Sequence, residues 1–479
     1  MPEHAEPRPG PTPPPAARSG LLRSLIYVGT VAAGQGIAFL LLPFVTRALS
    51  PEAYGAYALA LAVSSLVGML SSSWVRNVTL RLYFDAVERG TTRGLFLGTA
   101  SLQAALFVTL YGTVWALLTL FGVELVEPRV MLSAGVTVVA GDLAVHALML
   151  LRAERRTAAF ATGEIGAGAV RFVLTLAGLA AGIRSPELLF DATTVGYLAA
   201  AAFGVPVLWR RMSGPFRIDV RGTAEVVRHG PRSLPFSVAD WMERFADRLV
   251  LEGILGTSVV GIYTVGYTIG ERTVGVLVSA VFMMAWPDVL DAYRTGGTKG
   301  ARPAVRQAHH LYAWFSTGPV AFLIVHGGDV LRWIAGPEYH AAAPLVGIVA
   351  ASMWIGGFTT YLNRHLELTK RFGTLSGIVT IGAVVNLALN LWWIPLFGML
   401  GAAWATMANR VLNLVLFWRI RDRELVSVPV AAYLGAALAS VAAWGASAAL
   451  PVEPAVRMAA FVIVYAPVAL LALRRSGGR

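Results

Sequence analysis

From Arg23 onward the chain alternates apolar stretches of about twenty residues with short polar breaks, the length a helix needs to cross a hydrocarbon layer of about 30 Å. The pattern predicts fourteen spanning helices, at 24–46, 53–74, 94–121, 130–151, 158–182, 189–209, 233–254, 260–286, 307–327, 343–362, 373–394, 399–418, 429–450 and 455–473. Residues 1–20 hold seven prolines in their first fifteen positions and no apolar run. They are expected to form a disordered tail, neither a signal peptide nor a packed element. Prolines Pro43, Pro206, Pro287, Pro319, Pro395 and Pro467 fall at or near expected span ends and read mostly as helix stops, with Pro319 inside a span as a kink.

Composition agrees with this pattern. The chain is 56% hydrophobic and 14% charged, with mean hydropathy +0.64. A soluble globule of 479 residues would need far more polar sequence to cover its surface. The fold class is therefore an all-α polytopic membrane protein.

Charge orients it. With the N-terminus placed inside, 29 of the 39 Lys and Arg fall in inner segments, five in outer loops and five within the spans. Basic residues accumulate on the cytoplasmic side of spanning helices, so both termini are expected in the cytoplasm. The longest inner loop, 211–232, separates an N-terminal lobe of six spans (21–210) from a second lobe (233–420). The last two spans and a cytoplasmic C-terminus occupy 421–479. A weak internal echo accompanies this division: Arg47–Tyr57 (RALSPEAYGAY) and Arg248–Tyr263 (RLVLEGILGTSVVGIY) each run from an arginine through a turn to Gly-x-Tyr. Each lobe would start in the same direction, making the repeats parallel.

Several classes of function are excluded or disfavoured. The net charge of +12 sits in short clusters between apolar stretches, which does not suit nucleic acid. Cysteine is absent, which excludes thiol chemistry and Cys-ligated metals. No Gly-x4-Gly-Lys-[Ser/Thr] is present and no outer loop exceeds about fifteen residues, so neither a nucleotide site nor a catalytic domain is expected. No cofactor is expected and the protein is not read as an enzyme.

The informative anomaly is charge inside the hydrocarbon, where Arg, Lys or Asp costs about 2.5–3.5 kcal/mol at a helix centre. Arg171, Arg244, Arg248, Arg272 and Arg410 lie within spans. In the seventh span, Asp240, Glu243, Arg244, Asp247, Arg248 and Glu252 share one half of the helix, opposite Val238, Phe245, Leu249 and Val250. The stripe could neutralise itself through Asp240–Arg244 and Arg248–Glu252 pairs, yet four carboxylates face two guanidiniums. That leaves room for a cation, a proton or an arginine from another helix. Arg171, Glu271-Arg272 and Asn409-Arg410 are central in their spans. Guanidiniums converging on a cavity suit phosphate or carboxylate oxygens, whereas each could instead fix packing, as Arg171 would by pairing with Glu164 or Asp142. Asp142 and His146, four residues apart, are spaced like a proton relay or half a metal site, but no further ligand completes one, so a packing role is favoured. Gln35, Asn386, Asn390 and Asn413 read as interhelical glue.

The segment Leu40–Ala60 (LLLPFVTRALSPEAYGAYALA) resembles the opening of the polysaccharide transporter (Wzx-type) family in the multidrug, oligosaccharidyl-lipid and polysaccharide flippase superfamily. Arg81–Asp85 (RLYFD), Phe245–Arg272 and Val384–Thr406 are similar to further patches of that family, in the same order over residues 24–420. The segment Arg294–Arg306 and the last two spans match nothing specific. The resemblance implies two six-helix lobes around a central cavity plus extra C-terminal helices, moving an undecaprenyl-diphosphate-linked oligosaccharide across the bacterial cytoplasmic membrane by lobe rocking. It implies that Arg171, Arg272 and Arg410, with Arg244 and Arg248 beside them, hold the diphosphate or acidic sugars. Asp142, Asp240, Glu243, Asp247 and Glu271 are then candidates for coupling an ion or setting arginine geometry. Expected partners are the lipid-linked oligosaccharide, membrane lipids, and glycosyltransferases and a polymerase of a glycan assembly pathway. Two other readings remain open: a cation-coupled multidrug exporter of the same superfamily, and a non-transporting scaffold of a polysaccharide assembly complex.

Overall fold

The computed structural model describes residues 29–30, 33–34, 36–37 and 39–477, the side chains of 475–477 excepted. The proline-rich tail and Gln35 lie outside the described residues. Within them the chain is helical, without a β-strand. The N-terminal half comprises α1 (Leu42–Ala48), α2 (Pro51–Arg89), α3 (Thr92–Leu120), α4 (Pro128–Ala153), α5 (Thr157–Ala180) and α6 (Glu187–Trp209). A short helix α7 (Val220–His229) leads to α8 (Leu234–Leu255). The C-terminal half continues with α9 (Thr257–Ile334), α10 (Ala343–Leu368), α11 (Phe372–Phe397), α12 (Met399–Ile420), α13 (Val430–Ala448) and α14 (Pro454–Gly477).

Eleven of the described helices are long and apolar enough to cross a bilayer, so the chain is a multi-pass membrane protein. The difference from fourteen falls at three places. Much of the expected first span lies outside the described residues. Helix α8 carries too many charges to count on hydropathy. Helix α9 runs for 78 residues through two expected spans and the loop between them.

The break inside α9 is at Gly297, with φ 60° and ψ −152°, a conformation that L side chains rarely adopt. Prolines do not make it: Pro287, Pro303 and Pro319 all lie inside α9. Likewise Pro206, Pro395 and Pro467 sit within α6, α11 and α14. This corrects the reading of Pro206, Pro287, Pro395 and Pro467 as helix stops, while Pro319 lies inside a helix as expected. A proline forfeits one backbone hydrogen bond, a loss that bilayer helices re-satisfy locally.

The two halves meet at the end of the bundle marked by Arg47. Its Nη2 donates to the Trp333 carbonyl at 2.8 Å, the Gly336 amide donates to Thr46 Oγ1 at 3.2 Å, and the Tyr339 hydroxyl donates to the Leu49 carbonyl at 2.9 Å. Helix α2 begins beside this contact, with Pro51 in its first turn and Ser50 Oγ accepting the Ala53 amide at 3.2 Å. The echo found in the sequence lies here. A Cβ at Gly261 would stand 1.9 Å from the Pro51 carbonyl oxygen and 3.0 Å from the Gly55 nitrogen, and one at Gly55 would stand 2.0 Å from the Thr257 carbonyl oxygen. The glycines of the two Gly-x-Tyr units thus let α2 and α9 touch backbone to backbone. Around them Leu42, Val45, Tyr54 and Leu59 of the first half form one buried cluster with Tyr263, Tyr267, Tyr339 and Leu345 of the second.

Because no side chain fits between α2 and α9, Gly261→Ala is expected to force them apart at a cost of about 1–3 kcal/mol. Thermal unfolding of the detergent-purified protein checks this. A transition unchanged from the parent would contradict the close approach.

Candidate functional site

Beneath that apolar contact lies a cavity of about 690 Å3, drawing its walls from α1, α2, α5 and α6 of one half and from α8, α9, α10 and α12 of the other. Its volume is that of a ligand site. All five intramembrane arginines line it: Arg171 from α5, Arg244 and Arg248 from α8, Arg272 from α9 and Arg410 from α12. The carboxylates in the lining are Asp240, Glu243 and Glu271. Guanidiniums therefore outnumber acids.

Three arginines have ionic partners. Arg244 Nε and Nη2 donate to Asp240 at 3.0 and 3.2 Å, the expected pair one turn apart. Arg410 Nη1 donates to Glu243 Oε2 at 2.7 Å, while Asn409 Nδ2 and Asn413 Nδ2 donate to Oε1 at 2.9 and 3.2 Å. Glu243 is thus held by three donors from α12. Gly382 makes room for them from α11, since a Cβ there would stand 2.5 Å from both Asn409 Oδ1 and Asn413 Oδ1. Arg248 Nη1 donates to Asp247 Oδ1 at 2.7 Å, and the Tyr263 hydroxyl donates to Oδ2 at 2.6 Å.

The expected Arg248–Glu252 pair does not form. The Arg248 guanidinium instead lies over the Tyr267 ring, 4.6 Å from its centroid, where stacking and Asp247 outcompete a carboxylate one turn away. Glu252 accepts from Thr257 Oγ1 at 2.9 Å.

Arg171 and Arg272 differ from the other three. Among the described residues neither forms an ion pair or a hydrogen bond, and Arg171 Nε is buried without a partner. Arg171 pairs with neither Glu164 nor Asp142. They stand on opposite halves of the protein, α5 and α9, with the cavity between them. A protonated, half-buried guanidinium given no carboxylate is a ready donor for an anionic group.

Asp142 and Asp247 are outside the lining. Asp142 is taken by Arg76 at 2.5 Å and by the Ser72 hydroxyl, which projects from a π-helical turn, Met69–Ser73, within α2. His146, one turn on, faces Thr99 and Gln103 at 3.2 and 3.0 Å. Asp142 and His146 therefore serve different partners rather than one relay. Among the described residues no group of three His, Cys, Asp or Glu could hold a metal ion.

Sequence reasoning missed the tyrosines Tyr54, Tyr57 and Tyr267 and the hydroxyls of Thr264, Thr268 and Ser279 in the lining. One signal was available, since Tyr57 belongs to the first Gly-x-Tyr echo. Of the donors to Glu243, Asn413 was legible only as helix glue, whereas Asn409 was named beside Arg410.

A family model described as "polysaccharide biosynthesis protein" matches residues 44–344, more than half of the chain. The chain belongs to this family. Two curated proteins of Haloferax volcanii are similar to it. "Probable flippase AglR" is 22% identical over 297 residues, covering 61% of each chain. "Probable low-salt glycan biosynthesis flippase Agl15" is 21% identical over 397 residues, covering 80% of this chain and 79% of that one. The match to AglR thus spans less than two thirds of that protein. Among solved structures, one described as the lipid II flippase MurJ in an inward closed conformation superposes with a TM-score of 0.74 at 13% identity, over 95% of this chain and 99% of that one. The multidrug transporter DinF-BH of the MATE group superposes with a TM-score of 0.55 at 17% identity, over 86% of this chain and 98% of that one. These likenesses show that this polysaccharide biosynthesis family member shares the helical fold of MurJ and DinF-BH.

The Glu243 network yields its own test. Glu243→Ala leaves Arg410 largely buried without its counter-charge and is expected to cost about 3 kcal/mol or more. Asp240→Ala, at a pair open to the cavity, is expected to cost under about 1 kcal/mol. Denaturation in detergent that ranks the two equally would contradict this assignment.

Proposed function

We propose that this protein is a flippase that carries a lipid-linked oligosaccharide, of the undecaprenyl-diphosphate type, across the cytoplasmic membrane by alternating access of two lobes. The observation that carries the reading is that Arg171 and Arg272, which form no ion pair or hydrogen bond among the described residues, line one cavity from opposite halves. A sugar-diphosphate head is too polar to cross hydrocarbon unaided, whereas its lipid tail can stay in the bilayer. Arg171 and Arg272 hold the diphosphate, Arg410 and Arg248 extend the basic wall, and Arg244 lies beside them with Asp240. Because the head bridges both halves, its binding couples to their relative movement. The names of AglR, Agl15 and MurJ, each a flippase, support the reading.

On this account the termini are cytoplasmic, following the distribution of Lys and Arg, and the Arg47 contact seals the outer side. Glu271 has no ion pair among the described residues and remains a candidate for ion coupling, whereas Glu243, Asp240 and Asp247 set arginine geometry. Glycosyltransferases and a polymerase of the same assembly pathway would supply and consume the cargo. A cation-coupled exporter fits this cavity less well, because a lining in which guanidiniums outnumber carboxylates repels cationic drugs.

The test is flux in proteoliposomes carrying a fluorescent undecaprenyl-diphosphate oligosaccharide. Arg171→Ala and Arg272→Ala are each expected to lower the rate about tenfold or more, since charge-assisted hydrogen bonds of about 1.5–3 kcal/mol are lost. Their melting should match the parent, because neither arginine forms an ion pair or hydrogen bond among the described residues. Parental rates in both variants would remove these residues from the site. A parent protein that moves no lipid would favour the scaffold reading.

A further inference from the structure

We infer that the segment joining α6 to α8 is a binding ledge for anionic phospholipid headgroups, with α7 lying in the headgroup layer. The segment follows α6, a helix apolar enough to cross a bilayer that ends at Trp209, and leads into α8, which begins at Leu234 and lines the same cavity as α6, so it stands at bilayer-surface level.

Its inner side is fixed to the protein. The Ser213 amide donates to Thr92 Oγ1 at 2.8 Å and the Asp219 amide donates to the Gly94 carbonyl at 3.0 Å. Val226 is buried with Trp74, Val75 and Val78.

Its outer side is amphipathic. At 100° per residue Val220, Ala224 and Val227 fall together on the outward face of α7, with Arg221 and Arg228 on one flank. Phe216 is 80% exposed, Val220 74%, Ile218 49% and Val227 46%. Exposing such a group to water is unfavourable, whereas the boundary between headgroups and acyl chains accepts it.

Charge selects the lipid. Arg210, Arg211, Arg217, Arg221, Arg228 and Arg232 are all exposed. Against these six stand Asp219 and Glu225. Asp219 is occupied as the N-cap of α7, where its Oδ1 accepts the Gly222 amide at 2.9 Å. Glu225 lies 3.6 Å from Arg221. Arg228 flanks the apolar face, and Arg210, Arg211, Arg217 and Arg232 are exposed on the same segment, a basic and apolar combination that meets phosphate oxygens while apolar side chains enter the layer. An acidic protein would satisfy the arginines but would not require four large apolar residues at bilayer level, so lipid is the better match.

The absence of cysteine permits a clean test. The full chain carrying Ala224→Cys, spin-labelled, is reconstituted in vesicles of phosphatidylcholine alone or mixed with phosphatidylglycerol. The ratio of collisions with oxygen to collisions with a water-soluble nickel chelate is expected to rise severalfold when phosphatidylglycerol is present. Adding R217Q, R221Q and R228Q should abolish that rise while leaving thermal unfolding unchanged, because these side chains face outward. A label equally open to the chelate in both vesicles would overturn the inference, as would a rise that survives loss of the three arginines. A rise seen only when cell extract is added would point to a protein partner and likewise overturn it. None of these readouts depends on transport.

Discussion

A guanidinium cannot be left in hydrocarbon. It stays protonated, so it must find a carboxylate, an aromatic face or water. Five such groups within the membrane-spanning part of this chain constrain the protein more than any packing contact does. The response is a division of labour. Arg244, Arg248 and Arg410 are neutralised by Asp240, Asp247 and Glu243 and are fixed in place. Arg171 and Arg272 are left to the cavity between the halves.

That arrangement depends on the contact above it. Gly55 and Gly261 bring α2 and α9 together at the Arg47 end, and an apolar cluster drawn from both halves closes around them. The same helices also line the cavity, whose walls are basic and hydroxylated. One end of the interface is thus dry and tightly packed and the next layer is polar. Helix α8 joins the two levels, since its Arg248 reaches the Tyr263–Tyr267 pair of α9 while its Glu243 is anchored to α12.

Much of this was readable from the chain alone, and the reasons are physical. Burial of apolar helices in lipid leaves a long, simple periodicity, which is why the helix order emerged from hydropathy. Charge in such a helix is costly, which is why all five arginines of the cavity stood out by position. What stayed hidden was partner choice. Arg248 at one turn from Glu252 has good spacing for a pair, yet it folds back to Asp247 and stacks on Tyr267, a choice set by a neighbouring helix. Asp142 looked like a partner for Arg171 or His146, but Arg76 and Ser72 reach it first through the π turn of α2, which no sequence period announces. The prolines misled for a related reason: in a bilayer their lost hydrogen bond does not end a helix, and Gly297 with its positive φ breaks α9 instead.

The central claim is that Arg171 and Arg272, without an ion pair among the described residues, receive an anionic head group between the halves. It is tested most directly by determining the structure of the full chain in lipid nanodiscs with a bound undecaprenyl-diphosphate oligosaccharide. The account predicts the diphosphate within hydrogen-bonding distance of both Arg171 and Arg272, with the lipid tail leaving the cavity toward the bilayer. A head group bound elsewhere, with these two arginines still facing an unliganded cavity, would contradict it.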